Sequence, residues 1–195
     1  MQIGIMFSVE RFRKEALILG DLVDFFEVIL SGEEDLSVFL GSKHKLFAHL
    51  AGLDRMCFES LELAKQLRAD KAVIHFFTRR QMAFNEKTAT LIRLHKKAIE
   101  SGITLCLENT EESVNVLESV FEIMPGLKFC LDVGHANLFS NNPTDFIDTF
   151  SDRLEHIHIS DNKGGDSEKD DLHLPPGRGT INFGHIFSEL KAKNY

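Results

Sequence analysis

The chain has no tryptophan and one tyrosine, Tyr195, beside 17 phenylalanines. Rings that bind unpaired bases by stacking are therefore scarce, which argues against a single-stranded nucleic-acid groove. Basic residues are also few: 22 Lys and Arg stand against 30 Asp and Glu, a net charge of −8 that opposes a polyanion-binding surface unless the cations gather on one face. The three cysteines, Cys57, Cys106 and Cys130, are odd in number and have no C-x-x-C spacing, so neither a disulfide framework nor a thiolate zinc cage is expected. No run approaches the roughly 20 apolar residues of a membrane span, and the N-terminus lacks a basic segment before its short apolar run. The expected location is cytoplasmic, with no membrane partner. No G-x-G-x-x-G follows the first apolar run, which weakens a dinucleotide-binding sheet.

What is present is an alternation of short apolar runs and helical patterns over all 195 residues, 43% of them hydrophobic and 27% charged, with no composition break. One domain, 1–195, is expected. The pattern predicts strands over 2–8, 24–30, 45–50, 71–77, 103–109, 127–133 and a seventh beginning at Leu154. Helices are predicted over 11–20, 33–40, 55–69, 86–101, 111–123, 144–151 and 183–193. Successive β-then-α units imply a parallel sheet with helices outside. Thr104, Cys106, Glu108, Lys128, Cys130, Asp132, His156 and His158 give three strands a polar inner face. That face suits the layered interior and functional mouth of a TIM (β/α)8-type barrel better than an open sheet. Eight such units need roughly 220–250 residues, so strand eight is missing at Asn194-Tyr195 and the expected domain is a C-terminally truncated barrel.

The stretch 154–179, LEHIHISDNKGGDSEKDDLHLPPGRG, organises the candidate chemistry. Alternation along a strand puts Leu154, His156, His158 and Ser160 on one face, with Ile157 and Ile159 packed on the other. Glu108, Asp132 and His135 stand at the exits of two earlier strands, and His49 and His75 at two more. A parallel barrel opens all these ends on one side, where Asp171 and His173 join them. Imidazole and carboxylate donors without thiolates suit Zn²⁺ or Mn²⁺, with Co²⁺ or Fe²⁺ as further choices, more than Ca²⁺ or Mg²⁺. Adjacent buried carboxylates repel unless a cation or proton lies between them, which makes Glu108, Asp132 and His158 the strongest metal candidates. Glu27, at the end of the second strand, is a candidate for substrate binding or a salt bridge. His156, Cys106 and Cys130 are read as core, and His44, His95 and His185 as solvated or capping residues. The mixed-charge run 166–171 reads as a solvated face with Asp171 turned inward.

Four motifs in order, LENT (107–110), DVGH (132–135), HISD (158–161) and DLHLPPGRG (171–179), resemble the xylose-isomerase-like barrel superfamily, which includes sugar and sugar-phosphate isomerases and epimerases and endonuclease IV. The resemblance spans essentially the whole chain. In the epimerase branch it implies one metal on Glu108, Asp132, His158 and a glutamate of strand eight that this sequence does not contain. In the endonuclease branch it implies three zincs, with His49 and His75 joining Glu108 at one, and His135, Asp171 and His173 at another. The reading ranked first is a divalent-metal-dependent sugar or sugar-phosphate isomerase or epimerase working through a cis-enediolate. Glu108 would move the proton and His135 would polarise a substrate oxygen. Glu27, His49 and His75 would bind the sugar. Lys163 and Arg178, with the amides of Gly164, Gly165, Gly177 and Gly179, would hold a phosphate. The alternative is an endonuclease IV-like zinc phosphodiesterase acting on abasic DNA, and the third reading is a noncatalytic or incomplete barrel. A homo-oligomer is compatible with each.

Overall fold

A computed structural model describes residues 2–39 and 42–195, apart from the side chains of Arg13 and Leu17. The chain divides into two compact units, Met1–Ile74 with Thr78–Leu105 and His75–Phe77 with Cys106–Tyr195.

In the first unit, β1 (Gly4–Ser8), β2 (Phe25–Ile29), β3 (Lys45–His49) and β4 (Lys71–His75, whose last residue belongs to the second unit) pair in parallel in chain order. The helices α1 (Val9–Leu19), α2 (Cys57–Gln66) and α3 (Phe84–Glu100) follow β1, β3 and β4. Phenylalanine does the packing. Phe12 lies 5.6 Å from Phe26 and 4.2 Å from Phe39 between ring centroids, and Phe25 lies 4.3 Å from Phe47. Such pairs each add about 0.5–1.5 kcal/mol beyond the area they bury. His44 joins this cluster edge-on to Phe26 at 4.9 Å, so it is a packing residue and not the solvated or capping one expected. In α3, Leu91, Leu94 and Ala98 form the buried stripe. Gly102 ends the helix in the left-handed region (φ 72°) that glycine enters without steric cost.

No α-helix forms over 33–39. A 3₁₀ turn, Leu36–Phe39, stands there, and Leu40 lies outside the described residues. The cause is local. Glu34 accepts from the Ser31 N–H and hydroxyl and the Gly32 N–H, while Asp35 accepts from the Ser37 N–H and hydroxyl. These short-range bonds compete with the helical ladder.

The second unit carries the end of β5 (Thr104–Glu108, begun in the first unit), then β6 (Lys128–Asp132) and β7 (Leu154–His158), again parallel. The register sets Glu108 opposite Cys130 and Asp132 opposite His158. Three helices, α4 (Val114–Ile123), α5 (Pro143–Phe150) and α6 (Phe183–Ala192), complete it. α4 starts three residues later than predicted because Glu112 accepts from both the Thr110 N–H and hydroxyl. α5 has Asn142 as its N-cap, accepting from the Thr144 N–H, and Pro143 in its first turn. Phe121 and Phe129 each lie 5.1 Å from Phe150, and the Arg153 guanidinium sits 4.8 Å above Phe121. The apolar face predicted for β7 is only partly covered: Ile157 is half-buried and Ile159 is 44% exposed. Among the described residues no helix is long and apolar enough to cross a membrane.

Candidate metal centre

His49, His75, Glu108, Asp132 and His158 are the last residues of β3, β4, β5, β6 and β7. In the second unit the final three converge. The Oε1 atom of Glu108 lies 3.3 Å from Nδ1 of both His135 and His158, and its Oε2 atom lies 3.1 Å from Nε2 of His75. Oδ2 of Asp132 is 3.8 Å from the same Nδ1 atoms of His135 and His158. Donors held by one ion at about 2.0–2.2 Å stand about 3–3.6 Å apart, so this spacing fits a divalent cation with little rearrangement.

The electrostatics agree. Burial works to raise the Glu108 carboxyl, but the facing His75 and His158, with hydrogen bonds from His135 and His158, hold it well below the usual carboxylate range. Asp132 is held above its ordinary value, by burial first and by the neighbouring Glu108 charge. Two carboxylates with opposed displacements in one buried site mark a place where added positive charge relieves a cost. His135 now supplies such charge: burial alone would lower it, but Asp132, Asp171 and Glu108 push it up to about 11.

Asn109 fixes the carboxylate's backbone. Its Nδ2 donates to the Asp132 carbonyl and its Oδ1 accepts from the Asp132 N–H, both at 2.9 Å. The Asn109 carbonyl lies 3.0 Å from Nδ1 of His135. A carbonyl only accepts, so that ring nitrogen carries a hydrogen and is not a metal donor. Of the residues at the centre, Glu108, Asp132 and His158 would therefore hold an ion, with His135 beside it as a proton donor. Replacing Asn109 with Ala takes this partner from both the N–H and the carbonyl of the buried Asp132. It is expected to cost about 1–3 kcal/mol, measured by urea unfolding of the metal-free protein.

A second cluster adjoins the first. Nε2 of His135 is 3.3 Å and Nε2 of His173 is 2.9 Å from Oδ2 of Asp171. Oδ1 of Asp171 is buried and has no hydrogen-bond partner among the described residues. Both imidazoles hold the Asp171 carboxyl below its usual range despite its burial. His173 takes a left-handed backbone conformation (φ 44°), uncommon for a residue with a side chain.

The loop after β7 is organised by a residue given no role beforehand. Asp161 is fully buried. Its backbone exchanges two hydrogen bonds with Leu174, at 2.8 and 2.7 Å. Its carboxylate accepts from the amides of Gly177 and Gly179 through Oδ2 and of Asn162 and Ile181 through Oδ1, at 2.7–3.3 Å. A Cβ on Gly179 would collide with the Asn162 carbonyl, which is why glycine stands there. Asn162 extends the network, donating to the Gly134 carbonyl and accepting from Asn137 and Gly164. This corrects the expected phosphate cradle. The amides of Gly177 and Gly179 already face a carboxylate and that of Gly164 faces Asn162, leaving Lys163 and Arg178 exposed without the cradle that was to accompany them.

Glu27 is also placed differently: it lies in the middle of β2, not at its end, and is buried with Oε1 3.0 Å from Nδ1 of His49 inside the first unit. His156 is buried on β7 one layer below His158. His95 lies on α3, and His185 is exposed at the start of α6.

Residues 51–195 match the family model described as xylose isomerase-like TIM barrel. An uncharacterized protein of Methanocaldococcus jannaschii, MJ1614, is 32% identical over 144 residues, covering 69% of this chain and 55% of that protein. The chain spans about half or less of the length of the curated relatives it matches. Among solved structures, the TTHB071 protein of Thermus thermophilus, soaked with ZnCl2, is 26% identical with a TM-score of 0.77 and covers 95% of this chain and 86% of that one. A D-tagatose 3-epimerase-like protein has the same fold at 22% identity and a TM-score of 0.77, covering 100% of this chain and 88% of that one. The motifs at the strand ends, the parallel α/β architecture and the family match agree: the chain belongs to the xylose isomerase-like TIM barrel family.

Proposed function

We propose that this chain is the catalytic part of a divalent-metal-dependent isomerase or epimerase of sugars, with Zn²⁺ or Mn²⁺ as the ion. The observation that carries it is the convergence of Glu108, Asp132 and His158 with a proton-bearing His135 at strand ends. The fold similarity to a D-tagatose 3-epimerase-like protein is in keeping with it. A bound divalent ion supplies Lewis-acid polarisation of a carbonyl oxygen. The chain's residues do the rest. Glu108, ionised in this setting, takes the proton from the carbon beside that carbonyl. Asn109 and Asp171 hold the two ring nitrogens of His135, so its Nε2–H, which faces Asp171, is the proton offered to a substrate oxygen. Because a carboxylate fills the glycine-rich turn, an unphosphorylated sugar suits the site better than a sugar phosphate.

The orphaned Oδ1 of Asp171, whose Oδ2 faces His135 and His173, favours a second reading, a multinuclear phosphodiesterase. Metal content separates the two: one ion per chain supports the isomerase, and three with cleavage of abasic DNA support the phosphodiesterase. Loaded with Mn²⁺, Asp132→Asn and His158→Ala are each expected to lose most bound metal while His95→Ala keeps it. Solvent deuterium should enter a ketose only in the metal-loaded protein. Equal metal content in all three variants, or exchange in the metal-free protein, would contradict the proposal.

A further inference from the structure

Cys130 stands opposite Glu108 in the β5–β6 register and beside His156 in the β6–β7 register, two residues before Asp132 and so on the same strand face. It is fully buried, and its Sγ, a carboxylate oxygen of Glu108 and a ring nitrogen of His158 lie within 4.8 Å of one another. Glu108 and His158 thus have a soft sulfur as one neighbour, and His158 Nδ1 lies 3.8 Å from the hard carboxylate of Asp132 as another. Cys130 precedes Asp132 by a two-residue step, about 6.6 Å along the strand. Sulfur and oxygen bound to one ion at about 2.3 and 2.1 Å can be no more than about 4.4 Å apart, so the sulfur and the carboxylate are alternatives.

We infer that the centre offers a second, deeper ion position on Glu108, Cys130 and His158, which thiophilic ions such as Cd²⁺, Co²⁺ and Zn²⁺ take while Mn²⁺ stays with Asp132. The inference rests on the metal-centre reading. Softness of the ligand decides the choice, since thiolate selects soft ions and carboxylate hard ones. The thiol gives up its proton on coordination and releases it to solvent. Occupation of the deeper position withdraws the ion from Asp132, so Zn²⁺ and Mn²⁺ place their charge differently against a substrate entering from the strand ends.

Titration of the full chain with Co²⁺ tests this in the ligand spectrum, without turnover. The expected result is a near-ultraviolet thiolate-to-cobalt band in the wild type, absent from Cys130→Ser and Cys130→Ala while the visible d–d bands remain. X-ray absorption of the Zn²⁺-loaded wild type should show one sulfur scatterer at about 2.3 Å. Loss of a supporting partner alone costs about 10–100-fold in affinity, so Cys130→Ser should weaken Cd²⁺ more than about tenfold and leave Mn²⁺ unchanged. Visible cobalt bands with no charge-transfer band, and no sulfur scatterer, would overturn the deeper position and leave the metal centre standing. If neither ion is retained by the wild type, the metal-centre reading falls, and the inference with it.

Discussion

Replacing Glu108 with Gln is expected to abolish proton exchange at the substrate carbon, by about 10²–10⁴-fold from the acid–base role alone, and to remove most bound metal. Glutamine keeps the shape of the side chain, so the strand should survive; what goes is the charge that three imidazoles face. The carboxylate is 1% exposed and lies within 3.3 Å of ring nitrogens of His75, His135 and His158. Its low folded-state pKa gives the metal-free protein a stability contribution that is present above the ordinary value of 4.5 and is lost as pH falls through the depressed one. The variant should therefore show a flatter acid limb in its stability profile. Metal content and deuterium exchange together check the claim. A variant that binds metal normally and exchanges within about tenfold of the wild type would rule out Glu108 as the base.

Asp161→Ala is expected to destabilise the second unit by about 3 kcal/mol, even with the metal ligands intact. Hydrogen bonds to a charged acceptor contribute about 1.5–3 kcal/mol each. Four amides converge on this carboxylate, and partial access of water to the opened turn reduces the sum. Those amides hold the Asp161 carboxyl below its ordinary 3.8 although burial opposes them. The contribution is thus present above pH 3.8 and disappears as pH falls through the depressed value. Amide hydrogen exchange at Gly177 and Gly179 reads the effect directly: protection should vanish in the variant and persist in the wild type at neutral pH. Unchanged protection would show that the turn holds itself without the carboxylate.

Strand ends were legible in the sequence because the parallel α/β alternation sends each of them the same way, and Glu108, Asp132 and His158 stand at the ends of their strands as expected. The supporting residues were not. Asn109, Asp161 and Asn162 are ordinary turn formers by composition, and only tertiary geometry shows them bonded to main-chain groups far along the chain. Gly177 and Gly179 read as an anion cradle, which they are, but the anion is the protein's own. A short helix was expected over 33–40, and over 33–39 the short-range bonds of Glu34 and Asp35 prevailed. His44 looked polar from its place in a loop, whereas its ring packs edge-on against Phe26.

The tie at Asp161 closes the excursion at both its ends. Residues 163–170 are mostly exposed, and the chain is fastened again at Leu174, Gly177 and Gly179 by the same aspartate that starts the excursion. Closing a longer excursion between fixed ends costs only about 0.6 kcal/mol for each doubling of its length. An insertion within 163–170 is therefore expected to reshape the rim that carries Asp171 and His173, at the cost of bonds such as Phe139 N–H to the Gly165 carbonyl, while the tie at Asp161 keeps β7 in place.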